Sequence, residues 1–376
     1  MGTIPEINNI VTNRHDVARD WKVKTGGKVI GYLNIDLPEE LIYAAGILPV
    51  RILGSHEPEV ITDPHMWNMM HCVFERDCLA QGLQGRYDYL DGIIHSEGDP
   101  HEESCFLSWT RAKPMDYQYR LCVPGAYGLH HAQSFLRGEI AHFKQSLEEW
   151  TGEAISDHAI DRAIEVYNKS RRLMNQLSEL RKSDTPPISG AEFMETALAG
   201  MLTDKENFNT LLEQFLIEIP KRKKEDNGGI RIMLSGGPND YIDVIKSIED
   251  MGARVVVDEH DTGGRYYTTD VIPEEDRLNA LSARIINKPR SALKDMPERT
   301  RHQHLIDLAK EYRAQGVIFM YTVHDDAEQF DYPANKAAFE SIDIPTLMLE
   351  LDFTNPLEQF RTRVEAFLET IEPVGV

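Results

Sequence analysis

The sequence predicts an α/β protein of two doubly wound, Rossmann- or flavodoxin-like parallel-sheet domains with an intervening helical segment. Three observations carry that expectation. Short runs rich in Val, Ile and Tyr alternate with helical stretches at both ends of the chain, the pattern of strand–helix–strand units. The middle of the chain is helical throughout. A length of 376 residues is enough for two separate cores.

In order, residues 17–24 read as the end of a helix stopped by Thr25-Gly26-Gly27, and residues 28–32 as a first strand. Pro38 opens a helix over 39–45, because proline is tolerated in a first helical turn, and Gly46 and Pro49 close it. Residues 50–53 are a second short strand. A helix over 66–82 carries Cys72 and Cys78, whose spacing of six points them to different faces. A buried strand at 89–95 leads into a polar loop at 96–103, and 119–124 is a further strand. Residues 132–181 and 192–218 are helical, separated by Asp184-Thr185-Pro186-Pro187. The charged stretch 221–229 is a linker. It divides an N-terminal domain, 1–225, with its helical extension over 132–218, from a C-terminal domain, 226–376. Its basic tetrad at 221–224 reads as a solvated face. In the second domain, strands at 230–234, 254–257, 316–320 and 346–349 alternate with helices at 241–251, 298–315, 334–341 and 357–370.

Composition narrows the function. With 41% hydrophobic and 27% charged residues the chain is an ordinary globular sequence. A formal net charge of -22 argues against nucleic-acid binding, which needs basic surface to neutralise phosphate. No apolar run reaches membrane-spanning length, and residues 1–13 lack the basic-then-apolar order of a secretory signal, so the expected location is cytoplasmic. The four cysteines, at 72, 78, 105 and 122, include no CxxC pair. They are expected to be reduced, and a structural zinc site is not expected.

Ser235-Gly236-Gly237 follows a strand but forms neither GxGxxG nor a P-loop. It reads as a tight turn with Asn239 or Asp240 capping the next helix, and neither a nicotinamide-dependent enzyme nor a nucleoside triphosphatase is expected. Ligands of open α/β sheets bind beyond the carboxyl ends of the strands. Three such ends gather metal-competent residues. The first holds His95, Glu97, Asp99, His101, Glu102, Glu103 and Cys105. The second holds Asp258-Glu259-His260-Asp261 and then Gly263-Gly264-Arg265, and the third His324-Asp325-Asp326. Together they predict a shared cleft between the domains. Carboxylates and histidines also suit Mn, Fe or Zn in a hydrolytic or lyase site. Cys78 and Cys122 read as small core residues.

A long ordered set of residues resembles a known family. In the N-terminal part it comprises Trp21-Lys22, Gly31-Tyr32, Pro38-Glu39-Glu40, Ala44-Ala45-Gly46, Pro49, Cys72 with Arg76, and Asp88-Tyr89-Leu90-Asp91-Gly92. In the C-terminal part it comprises Gly236-Gly237, Glu249 with Gly252-Ala253, Gly263 with Arg265-Tyr266, and Gly316-Val317-Ile318. It continues with Phe330-Asp331-Tyr332-Pro333, Ile344-Pro345, Glu350-Leu351-Asp352, and Gln359 with Thr362-Arg363-Val364-Glu365-Ala366-Phe367. On these marks, from residue 21 to 367, the chain resembles the benzoyl-CoA reductase / 2-hydroxyacyl-CoA dehydratase family. Its length and Trp21-Lys22 start are similar to the smaller cluster-binding subunit of ATP-dependent benzoyl-CoA reductase.

The resemblance implies two α/β domains, a heterodimer with a homologous partner subunit, and a [4Fe–4S] cluster held by three cysteines between the domains. It also implies an ATP-hydrolysing activator that supplies low-potential electrons, and an acyl-CoA thioester as substrate. The outcome is reduction of the aromatic ring of benzoyl-CoA, as in anaerobic aromatic degradation, or loss of water from an (R)-2-hydroxyacyl-CoA. Cys72 matches the first family cysteine. Asp99 stands at the second position and Asp325 at the third, and His260-Asp261 replace a further cysteine. Cys105 lies near the second position. Thiolate is the usual soft ligand of such clusters. The resemblance therefore implies either an altered cluster on Cys72, Asp99 or Cys105, and Asp325, or a partner subunit that has lost its cluster and is non-catalytic. In the first reading His260 and Arg265 stabilise charge near the thioester carbonyl, since a cation or N–H donor favours developing negative charge.

Overall fold

The computed structural model describes residues 2–57, 60–222, 228–352 and 357–371. The core of the expected linker, residues 223–227, with the boundary placed in it, and the side chain of Gln359 lie outside the described residues. Two four-stranded sheets, both wholly parallel, form the frame. The first takes the order β2-β1-β3-β4 and the second β6-β5-β7-β8. The expected α/β class with two doubly wound sheets is therefore what the chain adopts.

The chain enters through α1 (Pro5–Thr12) and α2 (Arg14–Thr25), which ends on left-handed Gly26. It then runs through β1 (Val29–Tyr32), α3 (Glu39–Ala44) and β2 (Leu48–Arg51). The second strand begins two residues earlier than expected and contains Pro49 opposite Ile30. An edge strand tolerates this, because one side of its backbone has no ladder partner to lose. Next come α4 (Val73–Leu83), β3 (Gly92–Ser96), α5 (Pro100–Ala112) and β4 (Tyr117–Leu121). Two expectations fail here. Residues 66–71 are turns, and Cys72 is the N-cap of α4 rather than a residue inside a longer helix. The second half of the loop expected at 96–103 is the start of α5. Asp99 caps it, Pro100 occupies its first position, and Glu102 and Glu103 favour its positive end.

The helical middle is α6 (Ala132–Thr151), α7 (Asp157–Glu179), α8 (Gly190–Leu202) and α9 (Lys205–Glu218), with breaks at Gly152 and at the N-cap Asp204. The second sheet follows through β5 (Ile230–Gly236), α10 (Ile242–Asp250), β6 (Ala253–Glu259), α11 (Arg277–Asn287), α12 (Arg301–Glu311), β7 (Gly316–Thr322), α13 (Asp326–Glu340), β8 (Thr346–Leu351) and α14 (Leu357–Ile371). The sequence pattern did not foretell α11. It placed the start of α13 eight residues late, because Pro333, which lies inside this helix, reads as a break.

All thirteen residues of α8 are buried, so it shows no polar face. It lies against the edge strand of each sheet, β2 and β6. A side chain at Gly190 would meet Val255 of β6 at 2.4 Å, and one at Gly200 would meet Phe208 and Tyr267. Glu249 accepts from the N–H groups of Gly190 at 2.8 Å and Ala191 at 3.2 Å, at the free amino end of α8. One apolar cluster accordingly runs from Val29 and Leu48 through Leu198 to Ile232 and Val255. A second lies on the other face of the first sheet and draws in Leu281 and Ile285 of α11 beside Phe143 of α6. The segment after β6 thus returns to the first sheet.

Candidate functional site

The carboxyl ends of both sheets face one cleft. Its wall takes Asn34 and Asp36 from beyond β1, Cys72 and Glu75 from the start of α4, and Asp99 and Glu102 from the start of α5. The second sheet adds Gly237 beyond β5, Asp261 beyond β6 and Asp325 and Glu328 from the start of α13. Arg265, Lys288 and Lys294 complete it. All three strand-end loops singled out in the sequence contribute.

Each position has a local cause. The Cys72 Sγ stands 2.8 Å from the Thr322 hydroxyl, and the Val73 N–H donates to the Val323 carbonyl at 3.3 Å, so the amino end of α4 is tied to the end of β7. Asp99 accepts from the His101 N–H at 2.6 Å and Asp325 from the Glu328 N–H at 3.3 Å. Each is the N-cap of its own helix. Gly236 passes so close to β7 that a Cβ would lie 2.0 Å from the Met320 carbonyl, and one at Gly237 would lie 2.5 Å from the Asp325 carboxylate. The two glycines let the second sheet's chain approach its own cap, so the tight-turn reading holds. The expected capping does not follow: the N-cap of α10 is Tyr241 with no side-chain cap, Asn239 accepts from the Tyr241 N–H at 2.9 Å within the turn, and Asp240 reaches across to the first half and binds His56 at 2.6 Å and the Gly54 N–H at 3.2 Å.

The family marks Pro38-Glu39-Glu40 and Arg265-Tyr266 meet in a buried network. The Tyr266 hydroxyl donates to Glu39, and Glu40 pairs with Arg171. The Lys205 ammonium donates to the Tyr266 hydroxyl at 2.8 Å and to the Gly200 carbonyl, within a cage of Tyr167, Tyr266, Tyr267 and Phe208 rings.

The electrostatics of the cleft are those of crowded, buried acids. Burial, with Asp99 next to it, pushes Glu75 up to about 8. Burial raises Asp99 as well, and Glu102 far above the usual carboxylate range with Asp99 adding to it. Asp325 is driven well up by burial and then by Glu328, Asp99 and Glu75. The Cys72 thiol is likewise held well above its ordinary value by burial and by Glu75 and Asp325. A deprotonated group is costly wherever water is absent and like charges are near. One Glu75 oxygen has no hydrogen-bond partner.

Not every expected site residue reaches the cleft. Cys105 lies in the apolar core on α5, fully buried with Cys78. The helix begun at Asp99-Pro100 carries it onto the face packed against α4. His260 is also fully buried, but behind the turn: its Nδ1 meets the Gly237 carbonyl at 3.0 Å and its Nε2 lies 3.5 Å from the Asn239 amide. It supports the second-sheet turn and does not line the cleft. Arg265 does line it, but its guanidinium is held by Asp261 and by Glu259 at 3.1 Å. Cys72, Asp99 and Asp325 share the one cleft, as expected. The sequence pattern did not single out Asn34 and Asp36, although the same strand-end rule marks them. Nor did it point to Lys288 and Lys294, which bind the Ile35 carbonyl at 2.8 Å and the Glu97 carbonyl at 2.9 Å and lie in the segment whose return to the first sheet was not foreseen.

A [4Fe–4S] cluster held by three cysteines does not fit this donor set. The cleft offers one thiol among hard carboxylates, and among the described residues no group of three His, Cys, Asp or Glu stands at metal-holding spacing. Among the described residues no helix is long and apolar enough to cross a membrane.

Comparison with known proteins agrees with this architecture over nearly the whole chain. Residues 34–371 match the family described as 2-hydroxyglutaryl-CoA dehydratase, D-component. The chain is 28% identical to the (R)-phenyllactyl-CoA dehydratase beta subunit of Clostridium sporogenes, covering 97% of this chain and 98% of that protein. It is 27% identical to the beta subunit of the (R)-2-hydroxyglutaryl-CoA dehydratase of Acidaminococcus fermentans, covering 98% of each. It is also 27% identical to one of the subunits of the benzoyl-CoA reductase of Thauera aromatica, covering 80% of each.

Proposed function

Since the chain belongs to the 2-hydroxyglutaryl-CoA dehydratase D-component family, we propose that it is one subunit of an acyl-CoA dehydratase that removes water from a 2-hydroxyacyl-CoA. The observation that carries this reading is the cleft itself. Both sheets direct their strand ends into it, and residues 72, 99 and 325, matched by resemblance to the family's cysteine positions, stand around it. The dehydratase relatives support it by matching end to end. Ring reduction of benzoyl-CoA is the second reading, favoured by the reductase relative, whose match covers less of each chain.

In this reading the chain works with a partner subunit and with an ATP-hydrolysing activator that supplies electrons. The partner's contact is the apolar strip that leads to Cys72. Trp67, Met69 and Met70 are 57%, 69% and 58% exposed, with Leu107 of α5 also exposed. Ser108 of α5 donates to the His65 carbonyl at 3.2 Å and holds the strip against that helix. Lone folded chains rarely display such a patch, and this one runs into the segment that opens the cleft. Replacing Trp67 and Met70 together by serine is expected to lower co-purification of the partner at least tenfold. Thermal stability should barely change, because exposed side chains contribute little to folding.

The activity test uses the anaerobically prepared complex of this chain, its partner and the activator, with ATP and reductant. Formation of an enoyl-CoA from phenyllactyl-CoA, lactoyl-CoA or 2-hydroxyglutaryl-CoA supports the dehydratase. A dienoyl-CoA from benzoyl-CoA with no dehydration would replace it by the second reading. Turnover of none of them would overturn both.

A further inference from the structure

We propose that this subunit takes up no iron–sulfur cluster, and that the acids at two of the family's ligand positions serve instead as helix caps. The inference rests on family membership and is indifferent to which acyl group the complex accepts.

The chain has four cysteines, and all four are placed. Cys72 alone lines the cleft. Cys78 is fully buried, with its sulfur 3.8 Å from the Ile52 carbonyl, and Cys105 is fully buried in the same apolar cluster. Cys122 follows β4, the outer strand of the first sheet. No rotamer change brings a second thiolate to Cys72, because α5 would have to turn its packed face outward.

The acids have other work. A carboxylate at an N-cap satisfies N–H groups that a helix start otherwise leaves bare. Asp99 does this for α5 and Asp325 for α13. The substitution of acid for thiol therefore adds a local stabilising role as it removes a soft ligand. Around them stand Glu75, Glu102 and Glu328, all buried. Carboxyl oxygens are hard donors and poor replacements for the soft thiolates that match iron–sulfide bonding.

The test measures iron and acid-labile sulfide in the full-length chain, prepared anaerobically and reconstituted with ferrous iron and sulfide. The natural chain is expected to retain less than about a tenth of one cluster, with no cluster signal in electron paramagnetic resonance after reduction. Asp99→Cys combined with Asp325→Cys supplies three thiols to the cleft and is expected to raise uptake at least fivefold, with iron and sulfide in equal amounts. Circular dichroism checks that both proteins are folded, and Asp99→Asn with Asp325→Asn, which keeps the caps, serves as the folded control without added thiols. A full cluster in the natural chain would overturn the proposal. So would iron retained without sulfide, which would make the acids ligands, or a folded double-cysteine variant that stays as empty as its parent. These readouts are independent of turnover, so a complex with no dehydratase activity leaves the cluster question answered.

Discussion

At the scale of single residues, the clearest case is Lys205, a buried ammonium whose charge is opposed by its surroundings. Burial is the main cause that lowers it from 10.5 to about 8, against the pull of Glu39. Between those values the unfolded chain holds the proton and the folded chain does not, so stability rises with pH across that window. The penalty is full below pH 8 and gone by pH 10.5, and amounts to about 3 kcal/mol at 1.4 kcal/mol per unit. Urea unfolding at pH 7.5 and pH 10 should therefore show the natural chain gaining up to that much relative to Lys205→Met, and a constant difference would mean that the amine does not titrate there. Arg301 presents the opposite situation. It holds Glu328 at 2.7 Å, Asp331 at 3.1 Å and Glu259 at 3.5 Å, all buried. Arg301→Leu takes from Glu328 its partner at 2.7 Å, while Glu259 keeps Arg265 and Asp331 keeps Arg299, and is expected to cost roughly 3–5 kcal/mol in denaturant unfolding. Neither role was legible in the sequence. Lys205 follows an ordinary N-cap and Arg301 opens an ordinary helix, and their partners come from distant segments.

Among the elements, legibility followed chemistry that is local. Gly26 ends its helix as its left-handed backbone requires, and the expected stop falls there, whereas Gly152, with the same backbone, breaks a stretch expected to be helical from 132 to 181. The start of α5 stands where a loop is expected, and Asp99-Pro100-His101-Glu102 is a strong helix opening. The helix turns Cys105 into the core. Burial on all sides of α8 was not read from its sequence either, because only its place between the two edge strands explains it. Gly190→Val tests that place. The new side chain must occupy the space of Val255, so thermal unfolding should show a loss of about 1–3 kcal/mol, whereas the same change at exposed Gly125, which has nothing within 4 Å, should be nearly neutral.

For the whole molecule, the sequence foretold two parallel sheets and a cleft at their strand ends, because both follow from alternation and from where open sheets bind ligands. What it could not foretell was the crossing of segments between halves: α11 packs with α6, Asp240 clamps His56, and Lys288 pairs with Asp36 at 2.6 Å. Such contacts depend on tertiary geometry that no periodicity encodes. The chain's two sheets are consequently not two separable proteins. Because α8 lends one flank to β2 and the other to β6, a gene cut after codon 222 would give two products, each missing a wall. The downstream product, translated alone, should accumulate as insoluble material. Translated beside the upstream one, it should be recovered in the soluble fraction as a reassembled pair.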